Sequence, residues 1–94
     1  MMAAPATQQE AINQFIGLAN KMKDEGASIE FVSTALMRAC ALYATYVVAG
    51  NQGALREGGV QKLSEIFAKE LNVVQAAKLT EAGLDREGNP VSGA

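Results

Sequence analysis

Ile29-Glu30-Phe31-Val32-Ser33-Thr34-Ala35-Leu36-Met37-Arg38-Ala39-Cys40-Ala41-Leu42-Tyr43-Ala44-Thr45-Tyr46-Val47-Val48-Ala49 contains neither Gly nor Pro. Val32, Leu36, Ala39, Tyr43, Tyr46 and Val47 form one apolar stripe at helical spacing, and Ala35, Leu42 and Ala49 form a second. Cys40 lies between the two, and Arg38 is the only charge after Glu30. Ser28 is placed to cap the start, with Glu30 in the first turn, where the helix dipole favours a negative charge. A helix that is apolar almost all round is expected to be buried almost all round. This run therefore belongs at the centre of a helical fold.

Upstream, Thr7-Gln8-Gln9-Glu10 has the spacing of a capping box, in which hydroxyl and carboxylate each satisfy a backbone N–H at a helix start. Ile12, Phe15, Ile16, Ala19 and Met22 follow on one face, and Asp24-Glu25-Gly26 supplies a stop. The first helix is predicted from about Gln8 to Glu25. Downstream, Gly50-Asn51-Gln52-Gly53 reads as a turn. A third helix should start between Ala54 and Val60, with Val60, Leu63, Ile66, Phe67, Leu71 and Val74 as its apolar face and Glu65–Lys69 as a solvated pair. Its end is open between Asn72 and about Thr80, because Val73-Val74 is β-branched. Residues 1–6 are expected to be a flexible N-terminus, 7–82 a single helical domain and 83–94 a polar, mobile tail.

Composition supports an all-α reading. Nearly half the residues are apolar, but they include only three Phe, two Tyr and no Trp. Ala, the best helix former, dominates. The formal net charge of −2 comes without a basic run to track phosphates, so nucleic-acid binding lacks its driving force. The single Cys40 permits no internal disulfide and fits a reducing compartment. Met1-Met2-Ala3-Ala4-Pro5 lacks the features of a secretory signal. The uncharged stretch between Arg38 and Arg56 is interrupted by Gly50, Asn51, Gln52 and Gly53 and is too short in its apolar part to span a bilayer. A cytoplasmic protein without a membrane segment is the expectation.

Chemistry is scarce. With no His, the commonest general base and metal ligand is missing, and one Cys cannot build a thiolate metal site. Cys40 reads as a small core residue rather than a nucleophile. Gly50, Gly53, Gly58 and Gly59 precede a helix but lack the Lys-Ser/Thr of a phosphate loop. No cofactor or metal is expected, nor enzymatic activity. Arg38, Tyr43, Tyr46 and Asn51 are the candidate residues for a ligand or interface. Arg38 must reach solvent along its stem or pair with an acid such as Glu30, and each Tyr hydroxyl on a buried helix needs a partner.

Phe15-Ile16-Gly17-Leu18-Ala19-Asn20 and Val32-Ser33-Thr34-Ala35-Leu36-Met37-Arg38-Ala39-Cys40-Ala41-Leu42-Tyr43 resemble a family of small helical bacterial proteins classed as a domain of unknown function. The likeness covers about the first half of the chain, and the third helix departs from the more acidic, aromatic ending that the family implies. The resemblance implies a helical fold and transfers no site residues.

The expected architecture is a small three-helix domain, a helical hairpin plus a third helix, dimerised through the apolar middle helix. The expected function is a non-enzymatic protein-interaction module, a homodimer able to present a surface to a further protein partner. The alternative is a small-ligand-binding regulator with an apolar pocket between helices, its polar lining drawn from Arg38, Tyr43, Tyr46 and Asn51.

Overall fold

The structure, a computed structural model, describes residues 3–50 and 53–91. Three helices account for most of them: α1 (Gln8–Asp24), α2 (Ile29–Ala49) and α3 (Glu57–Ala82). Among the described residues there is no β-strand, only an isolated bridge between Leu84 and Pro90. The fold is all-α, as expected. The chain divides into two compact units, Met1–Asn51 and Gln52–Ala94.

In the first unit α1 and α2 pack as a hairpin. The capping box is present in full. Thr7 Oγ1 accepts from the Glu10 N–H at 3.1 Å, and Glu10 Oε2 accepts from the Thr7 N–H at 3.3 Å. The turn closes through the N–H of Gly26, which donates to Lys23 O, and that of Ala27, which donates to Met22 O. Gly26 sits at φ 112°, a conformation an L side chain rarely adopts. Ser28 then caps α2, its Oγ accepting from the Phe31 N–H at 3.1 Å.

The buried residue of this hairpin is Val32, 8% exposed. Ala11, Ala19 and Ala27 are partly covered. The expectation that α2 would be buried almost all round is not met: Val32 is its one buried residue. Cys40, expected in the core, is exposed. Within the first unit α1 covers only one side of α2, and Cys40 lies about 80° round from Val32 at 100° per residue.

In the second unit α3 runs unbroken through Val73-Val74 to Ala82, settling the end left open by the sequence. Its first turn holds Gly58 and Gly59, and the Leu55 side chain lies beside Gly59, where an added Cβ would meet it at 3.4 Å in ordinary contact. Glu65 accepts from Gln61 Nε2 at 3.3 Å instead of pairing with Lys69. The ion pair recorded among the described residues is Lys78–Glu81 at 3.9 Å, fully in solvent and worth little. Gly83 ends the helix at φ 71°. The expected tail carries local structure in its first nine residues. Asp85 Oδ1 accepts from the N–H groups of Glu87 and Asn89, both at 2.9 Å, and the Val91 N–H returns to Gly83 O at 2.8 Å.

Candidate functional site

Helical geometry decides which of the candidate residues can act together. Arg38 and Tyr43, five residues apart, lie about 140° apart around α2. They do not converge. Tyr43 and Tyr46, three apart, share a side and meet edge to face, with ring centroids 6.4 Å apart and planes at 69°. Both are exposed, Tyr43 at 70%, so neither hydroxyl faces the burial the sequence suggested. Arg38 is exposed and forms no ion pair among the described residues; Glu30, eight positions earlier, is about 12 Å away along the axis. Asn51 lies outside the described residues. The depressions beside Ile29 and beside Arg86 are lined by none of the other three candidates.

A different group of residues shares a surface. Val32 marks the side of α2 that is covered near its start, whereas Tyr43 and Val47, further along that side, are 70% and 74% exposed. Within about 80° of the opposite direction lie Glu30, Phe31, Ser33, Thr34, Met37, Arg38, Ala41, Ala44, Thr45, Val48 and Ala49, of which Ala44, Thr45 and Ala49 are partly covered. A helix side left open within its own unit would normally be polar. Here Phe31 is 66% exposed, Met37 59% and Val48 61%.

The threonine hydroxyls on this side are bonded to their own helix. Thr34 Oγ1 donates to Glu30 O at 3.0 Å and to Phe31 O at 3.1 Å, and Thr45 Oγ1 donates to Ala41 O at 2.8 Å. Such back-bonding satisfies each hydroxyl within its own helix. Glu30 and Arg38 are the two charges left. Sequence reasoning misses Phe31, Met37 and Val48 because their common side is defined only once Val32 shows where α1 sits.

Two shallow depressions occur, one on this side of α2 beside Ile29, Glu30, Ser33 and Thr34, the other where Arg86 comes beside Asn72, Val73 and Leu79. Neither gathers groups for acid–base chemistry. No cluster of metal-ligating side chains is found among the described residues.

Residues 8–78 match the model of a family described as "Protein of unknown function (DUF3144)". The chain belongs to that family. The DUF3144 match takes in α1, α2 and most of α3, so the kinship reaches well past the first half of the sequence. No curated protein and no solved structure shows significant similarity to the chain.

The 21 residues of α2 are, by length and composition, enough to cross a membrane. The apolar helix is thus bounded differently from the stretch between Arg38 and Arg56 considered from sequence, because it begins at Ile29. That shift puts Arg38 within one residue of its midpoint, where an arginine costs roughly 2.5–3.5 kcal/mol or more in lipid.

Proposed function

We propose that this chain is a non-enzymatic interaction module that works as a homodimer, with the far side of α2 as the surface between copies. The supporting observation is that α2 carries Phe31, Met37 and Val48 exposed on the side opposite its covered Val32. Burying a large apolar side chain is worth roughly 1.5–3 kcal/mol. Such a dimer requires that Arg38 not be left unpaired, since an uncompensated buried charge removes about 3–5 kcal/mol. The lack of any His and the scattered carboxylates support a binding role over a catalytic one. The remaining outer surface of the dimer is then available to a further protein partner.

The test is the mass in solution, by light scattering, of the native chain, of Phe31→Asp on the far side of α2 and of Asn20→Asp on α1. The native chain and Asn20→Asp should have the mass of two chains, and Phe31→Asp the mass of one. A native chain that is monomeric at every concentration overturns the proposal. So does a Phe31→Asp variant that stays dimeric.

A further inference from the structure

The exposed side of α2 has an order that reads the same from either end. Glu30-Phe31, an acid followed by an apolar residue, precedes Thr34 by three and four positions. Met37-Arg38, an apolar residue followed by a base, succeeds it by three and four. Around the helix, Glu30 and Arg38 lie about 40° to either side of Thr34, and Phe31 and Met37 about 60° to either side. Thr34 is the midpoint in both senses.

Two copies of a helix related by a two-fold axis can run parallel or antiparallel. Side by side and parallel, each residue would sit level with its own copy, setting Arg38 beside Arg38 and Glu30 beside Glu30. Antiparallel about Thr34, every residue meets one whose number sums with its own to twice that of Thr34. Glu30 then lies level with Arg38 of the partner subunit and Phe31 with Met37 of the partner subunit, each twice. This arrangement meets the isologous rule for a dimer, in which the same patch serves both subunits. It also gives each buried charge an opposite partner.

We infer that the chain pairs with a second copy of itself through an antiparallel α2–α2 crossing centred on Thr34, held by reciprocal Glu30–Arg38 ion pairs. The inference rests on the homodimer proposed above and specifies its register, one that buries Phe31 and Met37 and leaves Val48 beyond the crossing, since its counterpart position, 20, lies outside α2. The centre suits a close crossing. Thr34 is small and its hydroxyl is already bonded to its own helix. Helix axes about 8–10 Å apart, with Cα atoms on a radius of about 2.3 Å, leave about 3.4–5.4 Å between the two Thr34 Cα atoms. That range overlaps the span a disulfide can bridge.

The experiment has two arms. In a Cys40→Ser background, Thr34→Cys should give a covalent dimer under mild oxidation, whereas Val47→Cys, about 140° round the helix, should stay uncrosslinked. In the native background, Glu30→Arg or Arg38→Glu should each weaken the dimer at least ten-fold, and the double exchange should recover most of the loss. Crosslinking at Thr34 with recovery in the double exchange supports the register. A native mass of two chains, with no crosslink at Thr34 and no recovery, overturns the register and leaves the homodimer standing. A native mass of one chain overturns both.

Discussion

α1 and α2 are neighbours in one hairpin, yet their sequences are composed for different surroundings. α1 has Ile12, Phe15, Ile16, Ala19 and Met22 on one side, with Gln14, Asn20, Lys21 and Asp24 largely elsewhere and Leu18, 53% exposed, as the large apolar residue off that side. It is written for one neighbour and for water. α2, four residues longer, keeps apolar side chains on the side facing α1 and on the side facing away, with Glu30 and Arg38 as its charges. Its hydroxyls at Thr34 and Thr45 are turned back onto the backbone. The difference teaches that residue type alone does not mark an interface. What marks it is an apolar side chain opposite a side that is already covered.

The sharpest way to break this comparison is to place the same charge on each helix. Met37→Asp on the far side of α2 should raise the dimer dissociation constant at least 100-fold, about 3 kcal/mol, as read by sedimentation equilibrium. Lys23→Asp on α1 should change it less than two-fold. Equal effects would mean that the far side of α2 is not special.

Next in size is the covered side. Val32→Ala should cost about 1–2 kcal/mol in urea unfolding monitored by circular dichroism, through lost burial and the cavity left behind. Val47→Ala, at a position 74% exposed on the same helix, should cost less than about 0.5 kcal/mol. A smaller effect at Val32 than at Val47 would show that the hairpin does not pack around Val32.

The smallest effects lie at the helix ends, where they sharpen the comparison by separating folding from association. Thr7→Ala removes one half of the capping box and should lower stability by about 1 kcal/mol while leaving the dimer dissociation constant unchanged at concentrations where the chain is folded. Gly83→Ala puts a Cβ at φ 71° and should cost about 1 kcal/mol in the same denaturation. Loss of dimer in either variant at low denaturant would mean that α2 pairing depends on helix ends remote from it.

Much of the fold is legible in the residues themselves because helix ends are local events. Thr7 with Glu10, Gly26, and Ser28 before Phe31 each act within four residues, so local patterns bound α1 and α2 to within a residue. α3 is harder. Val73-Val74 lowers helix propensity, but two residues' worth of propensity is small beside the 26-residue run that continues to the left-handed Gly83. The Asp85 turn escapes sequence reading although its means are local, since Asp and Gly also suit an unstructured tail.

The surface is less accessible to sequence reading. Selecting Val32, Leu36, Ala39, Tyr43, Tyr46 and Val47 as a stripe identifies a helix but does not say which side faces α1. Arg38, Tyr43 and Tyr46 stand out as polar groups in an apolar run, and the structure places Arg38 on a different side from the tyrosines. Phe31 and Met37 draw no notice in an apolar run because such residues are ordinary there. Their meaning depends on a long-range fact, the covering of Val32, that no local pattern contains.

The measurement that most directly tests whether α2 is written for two neighbours is the solution mass of the native chain by light scattering across a dilution series. A mass of twice 9.8 kDa that persists on dilution is the expected result. A mass of 9.8 kDa at every concentration would contradict it, showing that α2 has no second neighbour of its own kind.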